Sequence, residues 1–268
     1  QIEDPEIGLD PAARGRMVHT ALHRLWNELG DQENLLAKSE DELYTLAHET
    51  AERAVEHMRG TLPGPFSRRF AALEVERLRD LLLEWLDLER ERSPFRVLDC
   101  EHRQRIPLSG LWLRTVADRI DHLPQGGVAV IDYKTGDLNV GEWFRDRPGE
   151  PQIPLYCLAC GDSVLAASVA RVKTGKCRFQ GISASEAWLP GTKIIPHADR
   201  EPEQGTWEGL LADWREKLRG LSREVRNGFA QAAPRNGETT CRDCGMAPLC
   251  RIREHLAPTP QDKETNAE

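Results

Sequence analysis

The sequence predicts an α/β protein, a mixed β-sheet core flanked by helices, with a helical N-terminal cap and a cysteine-rich C-terminal tail. Three observations carry this prediction. Up to residue 92 the apolar residues recur at helical spacing, and from there short β-branched runs alternate with turn residues. Three cysteines then crowd into a polar loop near the end.

Residues 11–30 place Met17, Val18, Ala21, Leu22, Leu25, Trp26 and Leu29 on one helical stripe, with His19 and His23 on its flank. The two histidines are spaced for a zinc pair but lack a nearby third ligand. Ser39-Glu40-Asp41-Glu42 forms a capping box opening a second helix over 39–58, with Leu43, Leu46, Ala47, Thr50, Ala54 and Val55 inward. Thr61-Leu62-Pro63-Gly64-Pro65 ends it. A third helix over 68–92 turns Leu73, Leu78, Leu81, Leu82, Trp85 and Leu88 inward and mixed charge outward. Its Arg68, Arg69, Arg77 and Arg79 read as a solvated face rather than a phosphate track.

Residues 95–108 form the first strand, in which Glu101 reads as structural, or as supporting the site from behind its ligands, rather than as a further acidic ligand. The runs 113–122 and 128–134, joined by Pro124-Gln125-Gly126-Gly127, predict an antiparallel hairpin. A turn centred near Gln125 places Asp118 opposite, or one step from opposite, Asp132. Alternation puts Lys134 on the face of Asp132 and sends Tyr133 to the other. Two facing carboxylates repel, and a divalent cation between them removes the conflict, with the lysine free to hold a water for attack on a phosphodiester. The competing reading is a surface hairpin whose acids pair with Arg119 and Lys134.

A polar loop over 137–151 is anchored by Trp143 and Phe144. A helix over 151–160 tolerates proline in its first turn, sets Gln152 and Tyr156 on one face, and buries Cys157 and Cys160 as thiols. Residues 164–173 and 176–183 form a second hairpin around Thr174-Gly175. Trp207, Leu210, Leu211, Trp214, Leu218, Leu221 and Val225 mark a long last helix. The residues divide into a helical part (1–92), a core with its final helix (93–235), a cysteine tail (236–255) and an end without fixed structure (256–268).

Taken in order, Gly15-Arg16-Met17-Val18-His19, Asp118, Asp132-Tyr133-Lys134, Gln152-x-x-x-Tyr156 and the tail Cys241, Cys244, Cys250 resemble the RecB-like branch of the PD-(D/E)xK nucleases. The resemblance is nearest to the nuclease domains of AddB-type helicase–nuclease subunits and related bacterial DNA-repair proteins. It spans residues 11–255 and implies a restriction-endonuclease-like core. It also implies a Mg²⁺- or Mn²⁺-dependent deoxyribonuclease, exonucleolytic, that works in DNA repair and recombination with a fused or separate helicase motor. The metal ligands it implies are His19, Asp118, Asp132 and the backbone carbonyl of Tyr133. Lys134 activates the water, and Gln152 and Tyr156 orient the strand or the catalytic groups. The family usually has glycine shortly before the first aspartate, where this chain has Arg114-Thr115-Val116-Ala117. A silent DNA-binding scaffold of the same fold and a CRISPR-associated relative are the alternatives.

The three tail cysteines imply, by the same resemblance, a 4Fe–4S cluster with a structural role. Its fourth ligand is expected upstream of Gln1, since Gln-Ile-Glu-Asp-Pro-Glu reads as linker from within a longer polypeptide, or else is Cys100. A Cys₃His zinc site using His255 is the rival. Seven cysteines with no visible secretory signal fit a reducing, cytoplasmic setting, and no apolar run reaches membrane-spanning length. The net charge of −8 is the wrong sign for gripping DNA through phosphates alone. Site acids count as negative only until a metal binds, and a motor that delivers the strand relieves the domain of tight binding.

Overall fold

The computed structural model describes residues 9–61, 67–136, 139–184, 188–194, 205–229, 231–242 and 244–250. Its N-terminal third is helical. Helix α1, Pro11–Leu29, starts where the Asp10 side chain accepts the Ala13 N–H at 2.7 Å and Pro11 pre-sets the first turn. Helix α2, Gln32–Ala37, is a short piece that the sequence did not announce. Helix α3, Glu40–Thr61, carries the expected capping box: the Ser39 N–H donates to Glu42 Oε2 at 2.8 Å, and the Glu42 N–H donates to Ser39 Oγ at 3.3 Å. Helix α4, Arg68–Arg90, starts on the cap Ser67.

Six strands follow in one sheet of order β1-β2-β3-β4-β5-β6. They are β1 Arg96–Leu108, β2 Leu111–His122, β3 Val128–Lys134, β4 Val164–Arg171, β5 Arg178–Ser183 and β6 Thr192–Ile194. β1 to β3 run as an antiparallel meander, and β4 lies parallel to β3. The crossover between them holds α5, Gln152–Cys160, as a parallel connection requires. β5 is antiparallel to β4 and parallel to the short β6, which had no clear signal in the sequence. Helix α6, Trp207–Arg226, then α7, Glu238–Arg242, and α8, Ala247–Cys250, close the described chain.

The sheet is buried on both faces. On one lie α1, α3 and α4, with Leu22, Trp26, Leu78 and Trp85 packed over Ala129, Ile131 and Tyr133. On the other, α5 and α6 pack Tyr156, Trp207 and Trp214 over Val130 and Val169. Trp143 is fully buried, and its carbonyl accepts the Trp214 indole N–H at 3.0 Å, which anchors the loop before α5 as expected.

One inward assignment fails, and one residue of the apolar pattern that marks α6 faces solvent. Leu73 is exposed, because five residues before Leu78 it lies about 140° around the helix from that buried position. Val225 is also exposed, and in the last turn of α6 Ser222 takes the inward place. Arg77 and Arg79 are half-buried and pair with Glu74 and Asp80, whereas Arg68 and Arg69 are exposed at the start of α4. Glu101 is exposed at φ 55° and pairs with Arg103 at 3.7 Å. The segments 62–66 and 251–268, which include the expected helix break, His255 and the C-terminal end, lie outside the described residues. Among the described residues no helix is long and apolar enough to cross a membrane.

Candidate active site

The β2–β3 turn sets the geometry. Gly126 and Gly127 both have positive φ, and a Cβ on Gly127 would meet Leu165 Cδ1 and Ser163 O at 2.7 Å, so only glycine fits there. The last β2–β3 pairs run from His122↔Val128 to Arg119↔Ile131, centred on residue 125. The next pair in this register is Asp118 with Asp132, and there the ladder stops. In place of a strand-to-strand bond, Asp118 Oδ2 accepts the Tyr133 backbone N–H at 2.7 Å. The N–H and C=O of one strand residue point to the same side, so the Tyr133 carbonyl also faces this gap between the splayed strands.

Around the gap the expected residues converge. His19, from α1, puts Nδ1 3.3 Å from Asp118 Oδ1. Lys134 Nζ lies 2.8 Å from Asp132 Oδ2 and donates to Gln152 Oε1, also at 2.8 Å. The Tyr133 ring is on the opposite face, edge-on to Trp85. Tyr156 is buried one turn after Gln152, and burial, with the charges of Asp132 and Asp118, pushes its hydroxyl pKa up, so it stays a donor. The glycine absent before Asp118 leaves β2 continuous, and the backbone irregularity sits across the ladder at Glu101.

Burial dominates at Asp132, whose side chain is 3% exposed. Desolvation first, then the charge of Asp118, pushes its carboxyl up to about 6, against the pull of Lys134 and His19. At His19 burial opposes the charged ring, but the hydrogen bond to Asp118 and the charges of Asp118 and Asp132 outweigh it and raise its pKa.

Among the described residues no three His, Cys, Asp or Glu side chains converge closely enough to cage a metal ion. The donor set still suits a hard ion that keeps several waters and takes only one or two carboxylates. Asp132 Oδ2 is buried and has the Lys134 charge beside it but no aligned hydrogen bond. The 3.3 Å between His19 Nδ1 and Asp118 Oδ1 is close to the ~3 Å between neighbouring ligands of an octahedral ion with ~2.1 Å bonds.

A pH test follows. Asp132 holds its proton more tightly in the fold than in the unfolded chain, so its favourable contribution is full below the ordinary carboxylate range and is lost as pH rises through about 6. Mn²⁺ at one fixed concentration, ~100 times its Kd at pH 8, should therefore raise the thermal midpoint more at about pH 8 than at about pH 5. Equal shifts at both pH values would remove Asp132 from the ion site.

The sequence missed what stands behind Tyr133. Arg119 is fully buried and pairs with Glu89 and Asp121, so of the surface-hairpin pairing only Lys134 with Asp132 is present. Its guanidinium lies 2.6 Å from Glu89 Oε1 and 2.6 Å from Asp121 Oδ1, and donates to the Tyr133 hydroxyl at 3.2 Å. Arg92 completes the cluster, 2.6 Å from Glu89 and 2.8 Å from Asp121. The strand alternation around Arg119 and Asp121 was the available signal, because both fall on the face of Ile131 and Ala129 rather than on that of Asp132.

Cys241 and Cys250 are half-buried and Cys244 is exposed, all as free thiols. Cys100 is buried within the α1–α3–α4 core, where desolvation pushes its thiol up to about 11. Cys157 and Cys160 are packed beside Tyr156, and burial raises both thiols.

A mixed sheet with a splayed central hairpin, presenting two acids and a lysine between helices from opposite layers, defines the class: a restriction-endonuclease-like fold with a candidate hydrolytic site. The model of the PD-(D/E)XK nuclease superfamily matches residues 1–251, and the chain belongs to that superfamily. No curated protein matches the sequence.

Proposed function

We propose that the chain is a divalent-metal-dependent nuclease that hydrolyses DNA phosphodiesters, acting exonucleolytically in repair or recombination beside a helicase motor. The observation that carries the reading is the meeting of Asp118, Asp132, Lys134 and His19 at the strand splay, in a chain of this superfamily. Asp118, Asp132 and the Tyr133 carbonyl, with His19, would hold Mg²⁺ or Mn²⁺, which supplies Lewis-acid stabilisation of the phosphate. Lys134, steered by Gln152, holds the attacking water and offsets charge building on the phosphate oxygens. The Tyr156 hydroxyl stays protonated beside the charges of Asp132 and Asp118. The test is incubation of end-labelled DNA with the full chain in Mn²⁺ or in EDTA. Products only in Mn²⁺ are expected, and an intact label in both overturns the reading.

The cysteine tail supports a second, structural proposal, a 4Fe–4S cluster on Cys241, Cys244 and Cys250 with a ligand outside this sequence. Its support is the spacing of three thiols within ten residues, since the described residues do not assemble a site around them. Burial and a raised thiol pKa argue against Cys100 as the fourth ligand. Anaerobic purification of the full-length protein should give a visible absorption band and stoichiometric iron. Zinc without iron would replace the cluster by a zinc site.

A further inference from the structure

Six of the seven tryptophans are buried, and Trp112 is 69% exposed. It lies near the far end of the β1–β2 ribbon, which runs out from the candidate site. In the ribbon Arg103 faces Val116, Arg105 faces Arg114 and Pro107 faces Trp112. Partner residues share a face, so these six form one surface, and alternation along β2 makes Trp112, Arg114 and Val116 a single row that ends two residues before Asp118. The inner row, with Ile106, Leu108 and Thr115, is buried.

The surface is held stiff. Its turn, Ser109-Gly110, has φ 48° and 86°, the left-handed pair that a two-residue hairpin turn needs. α6 clamps it: Ser109 Oγ donates to the Arg219 carbonyl at 3.1 Å, and Arg226 Nη1 donates to the Ser109 carbonyl at 3.2 Å.

The charge on the surface is unbalanced. Arg105 and Arg114 sit directly opposite each other, and among the described residues neither makes an ion pair. Like charges across a strand pair are unfavourable unless an anion lies between them. Arg105 also borders a recess shared with Arg215 and Arg219. On a chain of net charge −8, this places cations and an exposed indole on the strand that carries a candidate metal ligand.

We propose that this face of the ribbon is a track for a single nucleic-acid strand, with phosphates on Arg103, Arg105 and Arg114 and a base stacked on Trp112. The inference deepens the nuclease reading and rests on it for the direction of travel toward Asp118. From Trp112 to Asp118 is about 20 Å at ~3.4 Å per strand residue, room for about six stacked nucleotides at ~3.4 Å each. An indole stacks only on an unpaired base, which selects a single strand over a duplex.

The test uses the full chain in EDTA, with a fluorescent single strand of about twenty nucleotides and anisotropy read across a salt series. Trp112→Ala should weaken binding by about tenfold or more. Arg105→Glu with Arg114→Glu should abolish measurable binding at moderate salt, while the paired lysine variants should bind with the salt slope of the parent. Arg105→Gln with Arg114→Gln should lower that slope by about 1.4, at ~0.7 per phosphate. Arg68→Glu with Arg69→Glu, on exposed α4, should leave binding unchanged. Thermal midpoints should hold throughout, because every substituted side chain is exposed. The track is overturned if the parent does not bind at low salt, if the ribbon variants bind as the parent does, or if duplex binds better than single strand. Cleavage separates the two readings. Cutting in Mn²⁺ with an unchanged KM in the ribbon variants sinks the track and leaves the nuclease. Trp112-dependent binding without cleavage does the reverse.

Discussion

Asp132→Asn is expected to remove DNA cleavage, by about 10³-fold or more, and yet to raise the thermal midpoint of the metal-free chain above about pH 7. The two effects have one cause. Asp132 is nearly closed to solvent, and both desolvation and Asp118 resist its ionisation, so the neutral amide is easier to bury than the carboxylate it replaces. Asp118→Ala should also remove cleavage, with a smaller gain in stability, because it forfeits the acceptor of the Tyr133 N–H. Lys134→Ala should cost about 10²–10⁴-fold in rate and leave Asp132 without its neighbouring charge, lowering the midpoint. Single-turnover cleavage of end-labelled DNA, with melting curves on the same samples, reads all three. Any variant that still cleaves loses its place in the site. A midpoint that falls in Asp132→Asn would contradict the account of its burial.

The largest loss of stability is expected from Arg119→Ala. Glu89 and Asp121 are closed to solvent and would share only Arg92, and breaking such a buried cluster costs about 3–5 kcal/mol, equivalent to about 6–20 °C. Arg119→Lys should recover little, since an ammonium cannot make the forked contacts to Glu89, Asp121 and the Tyr133 hydroxyl together. Adding Glu89→Gln to Arg119→Met should destabilise by less than the sum of the single changes, because the stranded charge is removed with its partner. Denaturant melts of the five variants decide it, and a loss under about 1 kcal/mol for Arg119→Ala would mean that water reaches the cluster.

Much of this architecture could be read from the residues alone. Turn glycines and strict alternation are local signals, so the β2–β3 register, the opposed faces of Asp132 and Tyr133, and the capping box at Ser39 were all available within a few positions. The sheet order was less legible, because the parallel β3–β4 pairing joins residues 36 or 37 positions apart. The Glu89–Arg119 pair was hidden for the same reason: charged residues thirty apart carry no sequence mark of mutual burial. Helix α2 was missed because six residues are too short for a periodic pattern. Its importance lies in Gln32, whose side-chain amide donates to the Arg92 carbonyl at 2.7 Å and closes the end of α4. Leu73 shows the opposite failure, a leucine close enough to the stripe to be counted with it.

The candidate site draws His19 from one layer of the molecule and Gln152 from the other, with the sheet between them. During synthesis the histidine leaves the ribosome more than a hundred residues before the crossover helix does. A growing chain therefore carries an incomplete candidate site until the β3–β4 pairing closes, and that pairing is the slow, non-local step of such a topology. Maturation of the sheet then acts as a safety catch, arming the protein only once both flanking layers are in place.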